Sequence, residues 1–191
     1  TMSFSETTLT VRSAADLATV VPYLLGFRPD DGSIVVVRLN HGPVSAMDLE
    51  LCQALAQRFR ELAEHTPAGA VLTGTGRAFS AGVDLRRVAD EGGAYLERFL
   101  PALTDAFQAV FDLPAPLVAA VNGHALAGGC VLAAAADVAV MTDADSWIGL
   151  PELKIGVPFP AAAREILRYR LGEARTHRLV FEAQRYLPRQ A

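Results

Sequence analysis

The sequence predicts an α/β domain, and three observations predict it. Short apolar, β-branched stretches alternate with longer segments of helical periodicity along most of the 191 residues. The connections between the strand-like stretches are long enough for right-handed crossovers. Two segments rich in small residues, Arg77-Ala78-Phe79-Ser80-Ala81-Gly82-Val83-Asp84 and Asn122-Gly123-His124-Ala125-Leu126-Ala127-Gly128-Gly129-Cys130, each stand where a strand pattern gives way to a helix pattern. Turns of that kind free main-chain N–H groups that no helix bond uses. Two of them side by side can hold one oxygen between two donors, the geometry that stabilises a developing oxyanion.

Taken in order, Leu9 to Arg12 alternates and reads as a strand. Ala14 to Leu25 is apolar at helical spacing, opened by Ser13 as a cap and stopped at Gly26, with Pro22 inside it. Pro29, Asp30, Asp31 and Gly32 mark a turn over Phe27 to Gly32. Ile34 to Leu39 is strongly β-branched and reads as a strand. Ala46 to Glu64 is the clearest amphipathic helix, with Leu49, Leu51, Cys52, Leu55, Phe59 and Leu62 on one side. Gly69 to Thr73 is a short apolar strand leading into the first special turn. Tyr95 to Phe111 reads as a helix interrupted by Pro101. Leu117 to Val121 is a buried strand, the second special turn follows, and Leu126 to Ala136 is a helix of small residues. Val138 to Met141 and Ser146 to Gly149 read as strands. Ala161 to Leu171 and Glu173 to Phe181 are helices parted by Gly172. No internal repeat, low-complexity tract or strong domain linker is evident.

Composition narrows the function. The chain is 51% hydrophobic, but the excess is Ala, Val and Leu, and no stretch approaches a membrane span. A net charge of −4 gives no electrostatic footprint for nucleic acid. Arginines cluster late, from Arg164 to Arg189, as a solvated helix face or an anion-binding rim; the solvated face is the simpler reading. Cys52 and Cys130 lie in apolar helical contexts outside any C-x-x-C motif, so they read as reduced core residues. Thr1 to Thr10 carries neither a basic nor an apolar signal region, which makes a cytoplasmic protein the expectation. No His/Cys/Asp cluster has metal-ligand spacing, and neither a Gly-x-Ser-x-Gly elbow nor a phosphate loop is present. Ser80 has no evident base.

Three runs now resemble one family. Val71-Leu72-Thr73-Gly74-Thr75-Gly76-Arg77-Ala78-Phe79-Ser80-Ala81-Gly82-Val83-Asp84-Leu85 is similar to the first signature of the crotonase superfamily, the enoyl-CoA hydratase/isomerase family. Pro116 to Cys130 is similar to the second, and Ile148-Gly149-Leu150-Pro151-Glu152-Leu153-Lys154-Ile155-Gly156-Val157-Pro158 to the third. The likeness runs from about Ser33 to Arg189, which divides the chain into an atypical N-terminal segment, residues 1–32, and an acyl-CoA-binding domain, residues 33–191. The resemblance implies a spiral of ββα units that binds acyl-CoA, with coenzyme A as part of the substrate and no tightly bound cofactor. It implies a truncated C-terminal helical region, since the family continues beyond Pro188 into helices that close the acyl pocket and build a trimer. A homotrimer or hexamer, acting in fatty acid metabolism with no nucleic acid or membrane partner, is the corresponding expectation.

By position in these motifs, the two oxyanion donors would be the backbone N–H groups of Val83 and Gly128, and Glu152 would be the acid/base. The resemblance also sets Ala46 beside the adenine or pantetheine arm and Arg77 near the CoA phosphates, although a solvent arginine is nearly as good a reading. Ala81, Gly82, Asp84 and Leu85 of the first turn, with Leu126, Gly129, Val131 and Pro151, would complete the substrate surface. Read from the residues alone, Asp84 is an N-cap, Asn122 ties its turn through its side chain, and His124 is a satisfied turn histidine with substrate contact as the alternative. Glu152 alone would be a surface acid paired with Lys154 or an arginine. The family's second glutamate falls where this chain has Val131, which cannot handle a proton, so the pattern resembles the Δ3-Δ2 enoyl-CoA isomerases. A double-bond isomerase is therefore expected, with a hydratase (lyase) and a non-catalytic acyl-CoA scaffold as the alternatives.

Overall fold

The computed structural model describes residues 34–65 and 67–190; the segment 1–33, with the strand, helix and turn expected there, lies outside the described residues. Strand β1 (Ile34–Arg38) begins a repeating path. A short β2 (Ala46–Met47) and helix α1 (Leu49–His65) follow, then β3 (Gly69–Thr73), β4 (Ala78–Ser80), β5 (Gly82–Val83) and the long α2 (Leu85–Phe111). The next unit is β6 (Leu117–Val121), β7 (His124–Leu126) and α3 (Gly128–Ala135). The last comprises β8 (Val138–Met141), β9 (Ile148–Gly149), a 3-10 turn (Glu152–Ile155), α4 (Ala161–Leu171), α5 (Glu173–Glu182) and β10 (Arg185–Tyr186).

The strand order shows why this path is a spiral. One sheet is β1-β3-β6-β8, with β1–β3, β3–β6 and β6–β8 all parallel. A second sheet is β10-β9-β7-β4, and β2 pairs with β5 alone. Each turn of the chain thus adds one strand to the first sheet, a second strand beside it, and then a helix. The central strands β3 and β6 are buried along their whole length, so they read as continuous Ala, Val and Leu runs instead of alternating ones.

The core lies between the first sheet and the helices. Phe59, Leu72, Phe99, Phe107, Leu132 and Leu167 are among its buried side chains. Helix α1 contributes Leu49, Cys52, Leu55, Ala56, Phe59 and Leu62; Leu51, expected on the same side, is only partly buried. Asp48 caps this helix, its Oδ1 accepting the Leu51 N–H at 2.8 Å. Ala46 and Met47, expected inside the helix, are therefore the strand that precedes its cap. Both cysteines are buried and free. No described helix is long and apolar enough to cross a membrane.

Four further differences from the sequence expectations have local causes. Pro101 does not break α2: it sits on the exposed face, where the carbonyl that loses its partner can meet water, while Phe99, Leu103 and Phe107 keep the apolar stripe continuous. The irregularity falls instead at Gly92, with φ 67° and ψ −149°. Leu126 ends β7, and helix α3 starts only at Gly128 because the second turn occupies Ala127. The strand expected from Ser146 covers only Ile148–Gly149. After α5, Ala183 takes a left-handed conformation and the chain returns as β10, antiparallel to β9, a short pairing with no apolar pattern to announce it.

The late arginines largely form exposed pairs, Arg164 and Arg168 with Glu165, Arg178 with Glu182 and Arg189 with Asp143. Such pairs contribute little to stability. The α1–α2 contact is fixed more specifically, by the Leu49 N–H donating to the buried Tyr95 hydroxyl at 3.0 Å. Tyr95→Phe is expected to strand that N–H and to lower stability by about 1–3 kcal/mol, read as a lower urea midpoint at unchanged m-value.

Candidate active site

The two small-residue turns meet. Gly82, with φ 82°, lies so close to the second turn that a Cβ built on it would stand 2.6 Å from the Ala127 Cβ and 3.0 Å from the Gly128 nitrogen. No side chain fits there, so glycine is required both for its conformation and for this approach. A Cβ on Gly129 would fall 2.3 Å from the Ser80 carbonyl oxygen. Gly129 is thus needed for packing against the first turn's backbone, a neighbour the sequence did not identify.

The amide directions follow from the hydrogen bonds around each turn. The Asp84 N–H donates to Met47 O at 3.0 Å, on β2. Successive N–H groups of an extended strand point to opposite edges, so the Val83 N–H is turned away from β2. Gly128 is the first residue of α3, and the Cys130 and Val131 N–H groups both return to Ala127 O. The Gly128 and Gly129 N–H groups precede the first intrahelical bond and project from the positive end of the helix. Ala127, with φ 52° and ψ −122°, occupies a backbone conformation that L side chains rarely adopt. Its N–H is held by Gly149 O at 2.9 Å, so the surrounding structure sustains the strain and fixes where the helix begins.

Asn122 ties the turns to one another. Its Oδ1 accepts the Gly74 N–H at 2.8 Å, and its Nδ2 donates to Gly76 O at 3.0 Å. The His124 N–H donates to Arg77 O at 3.1 Å, and its Nδ1 accepts the Trp147 N–H at 3.1 Å. His124 therefore has a structural bond to the segment before β9. Asp84 caps α2, accepting the Arg86 and Arg87 N–H groups.

Glu152 opens the 3-10 turn three residues after Gly149, whose strand pairs with β7 just before α3. This topology carries the carboxyl to the same region as Gly128. The side chain is 7% exposed, and its Oε2 has no hydrogen-bond partner among the described residues. Lys154 does not pair with it; the ammonium donates to Gln184 at 3.2 Å. Burial pushes the Glu152 pKa up to about 6, against a smaller lowering by its own backbone N–H. The Cys130 thiol is pushed up to about 12, chiefly by burial and then by the nearby Glu152 charge, which places the two side chains in one neighbourhood.

The remaining sequence-predicted residues fall at varied depths. Ala46 pairs with Gly82 across the β2–β5 ladder and so lies directly beside the first turn. Ala81 and Leu126 are half-buried within the two turns, and Pro151 is half-buried beside Glu152. Leu85 is 42% exposed and Arg77 is exposed beyond the first turn. Val131 is 1% exposed and belongs to the apolar core. Among the described residues no group of three His, Cys, Asp or Glu side chains converges as a metal site.

A parallel-sheet spiral whose glycine turns abut beside a buried carboxyl defines the class: a crotonase-superfamily domain. Comparison with known proteins agrees. Residues 30–191 match the family described as enoyl-CoA hydratase/isomerase. A putative enoyl-CoA hydratase of Thermus thermophilus is 40% identical over 149 residues, 74% of this chain and 56% of its own length. A carnitinyl-CoA dehydratase of Salmonella arizonae is 36% identical over 129 residues, 66% of this chain and 49% of its own. Among solved structures, Pseudomonas aeruginosa DspI superposes with a TM-score of 0.75 at 28% identity, over 84% of this chain and 62% of that one. An enoyl-CoA hydratase from Bacillus anthracis gives 0.73 at 26% identity, over 83% and 62%. The chain belongs to the enoyl-CoA hydratase/isomerase family. It spans about half the length of the curated relatives it matches.

The raised Glu152 pKa has a stability consequence. The folded state holds this proton more tightly than an unfolded glutamate does, so the carboxyl costs nothing below about pH 4.5 and destabilises progressively as pH rises through about 6. The stability difference between Glu152→Gln and the unaltered protein is expected to shift by about 2 kcal/mol in favour of the variant from pH 4 to pH 7.5, measured by urea unfolding at each pH.

Proposed function

We propose that the protein binds an acyl-CoA thioester and shifts a double bond along its acyl chain, with Glu152 carrying the proton. The observations that support this reading are a buried carboxyl with an oxygen that has no described partner, its charge acting on Cys130, two residues into α3 from Gly128, and the abutment of the two glycine turns. The thioester oxygen would accept hydrogen bonds from the Val83 and Gly128 N–H groups, and the dipole of α3 would add to the stabilisation of the enolate. Glu152 would take a proton from the carbon that becomes part of the dienolate and return it at the other end. No redox change or water is needed; the electron pair of the broken C–H bond is held in the enolate until reprotonation.

Isomerisation is favoured over hydration by Val131. Water addition of the two-carboxylate type needs one group to position and activate water and another to deliver the proton. Val131 supplies neither, and it is buried in the core. A hydratase or dehydratase remains the second reading, because two relatives are a putative enoyl-CoA hydratase and a carnitinyl-CoA dehydratase. Acyl-CoA binding without turnover is the third.

A 3-enoyl-CoA and a 2-enoyl-CoA distinguish these readings. The 3-enoyl substrate is expected to yield the 2-enoyl isomer, and Glu152→Gln to lower kcat by at least about 100-fold with little change in KM. Because Glu152 must be ionised to accept a proton, kcat/KM is expected to rise with pH through about 6. Water addition by the unaltered protein, without isomer, would replace the isomerase reading with the hydratase one. Val131→Glu is expected to gain hydration at the expense of stability, since it buries a second carboxyl near the first. Binding with neither product supports the scaffold; no binding of CoA esters removes all three.

A further inference from the structure

We infer that Ser80 is a positioning residue for the oxyanion site, holding the peptide that precedes the Val83 amide in place for the thioester oxygen. This inference rests on the acyl-CoA reading and deepens it.

Ser80 is fully buried, at 0% exposure, and among the described residues its hydroxyl bonds only to backbone. Oγ donates to Ser45 O at 2.7 Å and accepts the Gly82 N–H at 3.2 Å. Gly82 and Val83 are successive residues of β5, and the Val83 amide lies on the edge away from β2. The Ser80 hydroxyl occupies the Gly82 amide and, by doing so, fixes the Ala81–Gly82 peptide. With that peptide held, the chain enters β5 in the orientation that its pairing with β2 requires, and the Val83 N–H keeps its direction away from β2.

The same side chain reaches the other strand of the ladder. Ser45, whose carbonyl Ser80 holds, is 2% exposed and has φ 47°, a left-handed conformation unusual for serine. Beside it the Ala81 N–H donates to Val44 O at 3.0 Å. These bonds pin the residue from which β2 starts, and β2 is the partner that turns the Val83 N–H outward. The Ser80 backbone in turn packs on Gly129, where a Cβ would stand 3.0 Å from the Ser80 Cβ. One residue thus touches both turns and the strand that orients the first donor. A purely space-filling alanine would pack equally well but would leave a buried N–H and a buried carbonyl unpaired and the Gly82 peptide free to tilt.

The test uses Ser80→Ala and Ser80→Cys, the latter keeping a weaker donor and acceptor and guarding against a misfolded alanine variant. Amide exchange at Gly82 in the unliganded protein reads the Ser80 hydrogen bond without any substrate. The absorbance of a bound 2,4-dienoyl-CoA reads polarisation of its carbonyl by the two amides. Ser80→Ala is expected to speed Gly82 exchange at least about tenfold beyond its effect on core amides, to reduce the red shift of the bound dienoyl-CoA, and to lower kcat about tenfold or more while KM changes less than about threefold. Ser80→Cys is expected to fall between the two. A Ser80→Ala protein that keeps the red shift and kcat, with only a lower melting temperature, overturns the inference. If the unaltered protein itself neither binds nor shifts the dienoyl-CoA, the acyl-CoA reading fails first, and Ser80's role in positioning the Val83 amide falls with it.

Discussion

The backbone contact between Gly82 and the Ala127–Gly128 peptide is the constraint on which the rest of the candidate site depends. It brings the end of a strand and the start of a helix closer than any pair of side chains would permit. Each neighbouring device serves that approach. Asn122 ties the loop after β3 to the turn after β6. Gly149 O holds Ala127 in its strained conformation. Asp48 and Asp84 cap the helices that leave β2 and β5. The spiral topology brings the two turns together, because β4 and β7 are parallel neighbours, with an irregularity between Ala78 and Ser80, and the turn following each lies at the same end of the sheet.

Against this rigid frame Glu152 is a local instability. A carboxyl this deeply buried, with an oxygen lacking a described partner, opposes folding at neutral pH. Protein cores rarely retain such a group without a use, and the same burial that costs stability brings the pKa to about 6, close to that required of a proton carrier. The Val131 substitution makes the balance easier to hold: one buried acid instead of two means one desolvation cost and no repulsion between like charges. The stability cost and the proton-carrier role proposed for Glu152 thus share one cause, its burial.

The sequence carried the central fold well because β3 and β6 are apolar runs buried in a parallel sheet, a pattern that survives without knowledge of partners. The cap at Asp84 and the apolar stripe of α1 were equally local and equally legible, whereas the second helix, read only from Tyr95, begins at Leu85 directly after that cap. Elements whose identity lies in pairing were not legible. Ala46–Met47 looks like the first turn of a helix and is a strand because Gly82–Val83 lies beside it. Arg185–Tyr186 has no strand pattern and is a strand because β9 offers its edge. Pro101 looked like a break, but its place on the solvent side of α2 could be known only once the helix was docked. The importance of Ser80 was hidden for the same reason, since its partners Ser45 and Gly82 are far apart and adjacent in sequence, respectively, and meet only in the fold.

By itself, then, the chain determined the family through three motifs, the small residues where backbone must approach backbone, and the one acid in the third motif. Those are properties of residue type and order, which no neighbour alters. Tertiary structure decided that the acid is buried, that its charge lies near Cys130, that Gly129 packs on Ser80 and that the Val83 amide turns away from its own ladder. Each of these depends on what stands across a gap from the residue, and a linear sequence does not contain distances between segments that touch only after the spiral closes.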